Sequence, residues 1–173
     1  MVFRRTPWRF FVLLAVSLSS WLIVLVYIHA QHLQAHLVDE AVHVPQIQWF
    51  LQGKFVTHPW LAMIPGYHLL IAEIMWMLGL DSVYAMRVIS AAFGLFAGYL
   101  FYCIRQTLGD SRAHWRAASF FFLPLLFPYY FLVYTDTLSL VLVLASLLAA
   151  LKQRHLLALI AVAASMAVFQ CHH

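Results

Sequence analysis

Asp39 and Glu40 stand side by side in "VDEAVHVPQIQWFLQG", residues 38–53, in a chain with six acids among 173 residues. A carboxylate at a membrane interface can take the proton of an attacking hydroxyl if the two lie within hydrogen-bond reach. The same pair can do plainer work, because acids ahead of a helix favour its dipole and keep a loop wet. Asp136, in "YYFLVYTDTLSL", is a second acid beside an apolar run. It can cap the helix that starts at Thr137, or line a cavity at the membrane, where acids are often functional.

Histidines gather around the first pair: His29, His32, His36, His43, His58 and His68. His32 and His36 have the i,i+4 spacing that can bind a metal on a helix. A third ligand at convincing spacing is missing and H-E-x-x-H is absent, so spacing gives a divalent metal no support and implies no cofactor. The plainer alternative is aromatic-like packing at the interface. His43 and His58 are also candidates for contact with a phosphate. Lys54 is the one lysine in residues 29–82. Arg87 stands near the start of an apolar run, where a lone cation must snorkel or find an anion. A lipid phosphate is one candidate anion, and Glu73 or Asp81 is the alternative.

The elements that position these groups belong to a membrane. The chain is 65% hydrophobic and 9% charged, with mean hydropathy +0.87, whereas a soluble domain is about a quarter charged. The net charge of +4 comes from basic residues scattered at the ends of apolar runs. A basic stripe with interleaved aromatics is absent, which argues against a nucleic-acid partner. Cys103 and Cys171 make neither a disulfide framework nor a C-x-x-C metal signature. Nucleotide hydrolysis, dinucleotide redox chemistry and serine-esterase chemistry have no motif to support them.

Five apolar runs are expected to span: Arg9–Ile28, Val83–Ile104, Arg116–Tyr134, Thr137–Leu151 and His155–Phe169. A crossing needs about 20 residues. The first run exceeds the 7–15-residue core of a signal peptide and lacks an A-x-A-like site, so it reads as an uncleaved anchor. Arg4, Arg5 and Arg9 put the N-terminus in the cytoplasm. Residues 65–80 are ambiguous, and charge decides them. Laid along the interface, they leave both basic loops, Arg105/Arg112/Arg116 and Lys152/Arg154, on the cytoplasmic side. Five of the six acids then face outward, and Asp110 faces in.

The expected fold is all-α: one polytopic bundle over residues 1–173 with about five spans and an outer loop, residues 29–82, carrying two interfacial helices. Pro45 suits a first helical turn, Ile47, Phe50 and Leu51 then share a face, and Gly53 ends that helix. Asp39, Glu40 and His43 fall in the loop before it. Tyr27, Trp49, Trp60 and Trp76 suit an interfacial belt.

Four blocks resemble the dolichyl-phosphate-glucose α-1,2-glucosyltransferase family, within the GT-C class. "DEAVHVPQIQWFLQGKF" is similar to D-E-x-x-H-x-P-Q-x-Q-x-x-x-x-G-x-F. "IPGYHLL", "MRVISAAFGL" and "LFPYYFLVYTDTLSL" resemble its T-x-P-G-x-Y, L-R-x-x-N and F-P…Y-Y-T-D-x-x-S segments. The resemblance implies a multi-pass membrane glycosyltransferase. Its donor is a polyprenyl- or dolichyl-phosphate glucose, its acceptor a lipid-linked glycan, and its route an inverting single displacement beside membrane lipids. Asp39 is implied as general base with Glu40 orienting it. His43, Gln46, Lys54, His58 and Arg87 are implied as substrate-binding, and Asp136 as lining the same cavity. The membrane is the endoplasmic reticulum in a eukaryote and the inner membrane in a bacterium. Family members continue into F-R-Q-T-N and further spans where this chain reads "VFQCHH", so it is expected to be the N-terminal part of a longer domain. The alternative is a non-catalytic membrane protein: a truncated or inactive relative, an assembly subunit or a small transporter. A transporter carries broken or charged segments at midplane, whereas these acids cluster at one face.

Overall fold

In the structure, a computed structural model, residues 8–30, 39–61, 64–124 and 126–168 are described, without the side chains of 9–11, 13, 14, 28 and 29. The expectations for Arg4, Arg5, His32, His36 and Cys171, and for the side chains of Arg9 and His29, lie outside these residues. Seven α-helices form among them, and no strand. They are α1 (Trp8–Ala30), α2 (Glu40–Leu51), α3 (Gly66–Leu78), α4 (Val83–Thr107), α5 (Ala113–Phe121), α6 (Thr135–Leu151) and α7 (His155–Met166).

α4 is the one described helix long and apolar enough to cross a membrane. Its 25 residues reach about 37 Å at 1.5 Å per residue, more than the hydrocarbon thickness of about 30 Å. Ala15–Tyr27 of α1 and the whole of α3, α6 and α7 are apolar but shorter. Ser82 starts α4 by accepting the Ala85 N–H at 3.1 Å, the usual service of a serine N-cap. Gly53 follows the C-cap of α2 at φ +73°, a conformation that glycine adopts without a Cβ clash. α7 has no buried residue, and its exposed Leu156, Leu159 and Ile160 form an apolar face that suits a bilayer rather than water.

α4 is the centre of the packing. α6 lies along it, with α7 on the far side of α6. α5 lies against α4 and α1, and α2 pairs with α3. Gly94 and Gly98, four residues apart, let aromatic rings rest on the α4 backbone. A Cβ at 94 would collide with Tyr130 and Trp21, and one at 98 with Phe121. Small residues at this spacing are how helices approach closely without a hydrophobic drive. Trp21 of α1 stacks on Tyr130 at 4.9 Å between centroids and meets Phe131 edge-on.

Two expectations need correction. Residues 116–134 are not one helix: α5 ends at Phe121, turns follow, and a single 3₁₀ turn covers Pro128–Phe131. Pro124 and Pro128 each remove a backbone donor and break the helical ladder. α2 begins at Glu40 rather than at Pro45, so Glu40 and His43 are helical and Pro45 is interior. Pro45 deprives the Ala41 carbonyl of its donor, and Ala41 is exposed.

Candidate functional site

The site is built on the first turn of α2. Asp39 stands at its N-cap with φ −70° and ψ −14° and makes no side-chain cap bond. A capping residue normally sits in the β region and turns its oxygen onto the N2 or N3 amide. Asp39 is already helical, and its carbonyl accepts the Val42 and His43 N–H groups at 2.9 and 3.1 Å. Its own N–H donates to Tyr134 Oη at 3.2 Å. The half-buried carboxylate makes no hydrogen bond among the described residues.

Glu40, the next residue, has the opposite environment. It is fully buried. Arg87 Nε donates to Oε1 at 3.0 Å and Nη2 to Oε2 at 2.6 Å, a bidentate pair. The Val133 N–H also donates to Oε1, at 2.9 Å. One carboxylate thus ties α2 to α4 and to the strand-like stretch before α6. The carboxylate that Arg87 meets is Glu40 rather than Glu73 or Asp81, both of which are exposed.

His43, one turn along, stacks on His68 of α3 at 5.1 Å between centroids, with Nδ1 and Nε2 2.9 Å apart. Burial drives both imidazoles below their usual range, His68 to about 3, so both are neutral at pH 7. Asp39, Asp136 and Glu40 partly oppose the shift at His43, which puts all three carboxylates within its electrostatic reach. Tyr134 packs on His43 at 5.8 Å, and burial raises its phenol pKa, so it stays protonated. Tyr67 meets Ser90 Oγ at 3.1 Å behind the pair.

Asp136 lies in the first turn of α6 and is exposed. It stands at a cavity of about 260 Å³ lined also by Tyr129, Ser139 and Val143. Among the described residues, three or more His, Cys, Asp and Glu side chains do not gather as a metal site.

This pairing of an unengaged aspartate with an anchored glutamate sits within a longer likeness. Residues 33–172 match the DIE2/ALG10 family. The chain belongs to it. A Drosophila melanogaster relative, Dol-P-Glc:Glc(2)Man(9)GlcNAc(2)-PP-Dol alpha-1,2-glucosyltransferase, is 36% identical over 115 residues, covering 63% of this chain and 25% of the fly enzyme. The Arabidopsis thaliana protein of the same name is 31% identical over 175 residues, covering 90% of this chain and 34% of the plant enzyme. The chain therefore spans a quarter to a third of the curated relatives it matches. Solved structures give no match.

In this DIE2/ALG10 chain the expected site residues form two groups. Asp39, Glu40, His43, Arg87 and Asp136 come together. Gln46 stands mid-α2, about 9 Å along its axis from Glu40, and Lys54 and His58 lie in the loop that follows the helix. Gln46 is occupied with its own loop: Nε2 donates to the Val56 carbonyl at 2.9 Å, and Oε1 accepts the His58 N–H at 2.6 Å. His58 rests on Trp49 at 5.4 Å, and Lys54 is exposed. The residues that sequence reasoning did not single out are Tyr134, Val133, Tyr67 and Ser90. Tyr134 had a signal, its place two residues before Asp136; the others act through a backbone amide or from inside a helix and had none.

Proposed function

We propose that the protein is the Asp39-bearing part of a dolichyl-phosphate-glucose-dependent glucosyltransferase that adds a hexose to a lipid-linked glycan. Family membership supports the reaction class, and the unengaged Asp39 carboxylate beside an anchored Glu40 supports the site. Asp39 takes the proton of the acceptor hydroxyl as that oxygen attacks the anomeric carbon. The bond between the anomeric carbon and the phosphate oxygen breaks, and its electron pair leaves with the polyprenyl phosphate. One displacement inverts the centre. General-base help of this kind contributes about 10²–10⁴-fold.

Glu40, Arg87 and Tyr134 are positioning residues in this reading, because they hold the α2 turn rather than touch substrate. His43 is neutral and buried against His68. Asp136, at its own cavity on α6, lies within electrostatic reach of His43. Gln46 shapes the loop that carries Lys54 and His58. The bundle is multi-pass, with the N-terminus cytoplasmic and the Asp39 end outside, in the endoplasmic-reticulum lumen of a eukaryote.

The test is mass-spectrometric detection of hexose transfer, by the full-length transferase that contains this chain, from defined polyprenyl-phosphate sugars to a lipid-linked glycan. Transfer from the glucosyl donor, and at least tenfold less from a mannosyl donor, is expected. Absence of transfer from the glucosyl donor would reject the reading.

A further inference from the structure

The end of α4 remote from Asp39 carries a feature that glucosyl transfer does not use. An apolar slot of about 290 Å³ runs between α1, α4 and α5. Leu18 of α1, Leu95 and Tyr99 of α4, and Ala118 and Phe121 of α5 line it. Leu18 and Tyr99 are largely exposed on the outside of the bundle, so the slot faces whatever surrounds the helices. Gly98 opens it by letting Phe121 lie against the α4 backbone.

The slot is apolar throughout, and its neighbour in the chain is a charged turn. Tyr102, three residues before Arg105, and His114, at the start of α5, also line it. Next to them is the α4–α5 turn with Arg105, Asp110, Arg112 and Arg116. Asp110 accepts two bonds from Arg105, at 2.8 and 2.6 Å, and pairs with Arg116 at 2.9 Å. Three arginines against one aspartate leave two net positive charges in this turn. α6 ends on this side as well, since Leu144 and Leu148 pack with Leu100 and Ile104, so Lys152 and Arg154 add to the same field. Half-exposed Trp115 and Tyr102 place the turn at headgroup level, where such rings collect.

We infer that this slot is a binding site for an anionic phospholipid, with one acyl chain between α1, α4 and α5 and the headgroup phosphate at Arg112 and Arg116. Charge complementarity selects the occupant. A water-soluble ligand would leave the apolar walls unused. A zwitterionic lipid would gain less from a doubly positive turn, because juxtamembrane basic clusters favour anionic headgroups. The site stands apart from Asp39 and does not depend on the transfer reaction.

The test is native mass spectrometry of the protein in detergent micelles supplied with equal phosphatidylserine and phosphatidylcholine of matched chains. The wild type is expected to carry phosphatidylserine at least fivefold over phosphatidylcholine, and millimolar inorganic phosphate is expected not to displace it. Ala118→Phe, which fills the slot, should reduce both bound lipids at least fivefold. Arg112→Gln with Arg116→Gln neutralises the turn and should abolish the preference while leaving phosphatidylcholine-level binding. Equal retention of the two lipids by the wild type, displacement by phosphate alone, or full retention by a folded Ala118→Phe overturns the inference. If Ala118→Phe does not fold, the double arginine variant decides, and an unchanged preference refutes the site.

Discussion

Two arginine–carboxylate clusters stand at the two ends of α4, with Arg87 and Arg105 separated by eighteen residues, or about 27 Å of helix. At one end Glu40 and Arg87 are buried almost completely, at 0% and 2% exposure. They join residues 47 apart in sequence, and Glu40 also holds the Val133 amide 93 residues on. At the other end Asp110 meets Arg105 and Arg116, residues five and six positions away, with Arg116 57% exposed. The same pair of chemical groups therefore does two jobs. The buried pair fixes how α2, α4 and the start of α6 meet, and so where Asp39 and Asp136 stand. The exposed cluster shapes a short turn and leaves positive charge over. A buried pair is a weak source of net stability, but removing one partner strands a charge, at a cost of about 3–5 kcal/mol.

The largest expected effect follows from that asymmetry. Arg87→Met should lower stability by about 3–5 kcal/mol, read as tryptophan-fluorescence unfolding in detergent. Glu40→Gln combined with Arg87→Met should lose less than Arg87→Met alone, because no charge is then left unpaired. An additive double variant would break the comparison.

Acid should weaken the Asp39 end next. His43 and His68 have folded pKa values below the ordinary 6.5. Below 6.5 the unfolded chain binds protons that the folded chain refuses, so stability rises with pH across this window and is lost on acidification. The slope is up to about 1.4 kcal/mol per pH unit for His68 between pH 6.5 and about 3, and His43 acts in the same direction below 6.5. Unfolding temperatures from pH 7 to 5 measure it, and His68→Gln should flatten the curve.

Tyr134→Phe removes the acceptor of the Asp39 N–H and should cost about 1 kcal/mol, with a fall in transfer larger than the fall in stability accounts for. Measured transfer and unfolding of the same sample separate the two. The smallest effect belongs to the far cluster. The Arg112 N–H and the Arg105 guanidinium hold Asp110 below the usual carboxylate range, yet Asp110→Asn should move the unfolding temperature far less than Arg87→Met. A shift as large at Asp110 as at Arg87 would erase the distinction between the clusters.

The apolar runs made most of the helices legible. α4, expected over Val83–Ile104, covers Val83–Thr107, and α6, expected from Thr137, starts two residues earlier. Residues 116–134 misled because their composition is apolar throughout, while Pro124 and Pro128 act through a missing N–H that composition does not register. In the site, Asp39 and Glu40 were visible as rare adjacent acids, but their division of labour was not. It depends on which carboxylate meets Arg87, and a contact across 47 residues leaves no local periodicity. The loop contacts of Gln46 were illegible for the same reason, its partners being the backbone of Val56 and His58. The histidine pair was half legible: His43 and His68 were both noted, but their contact depends on how α2 lies on α3.

If Asp39 does chemistry while Glu40 holds the frame, hexose transfer by Asp39→Asn, measured alongside its unfolding temperature, separates the two roles. The account predicts transfer reduced about 10²–10⁴-fold at an unchanged unfolding temperature, since no hydrogen bond within the described residues rests on that carboxylate. Transfer within a few-fold of wild type by the folded variant would contradict it.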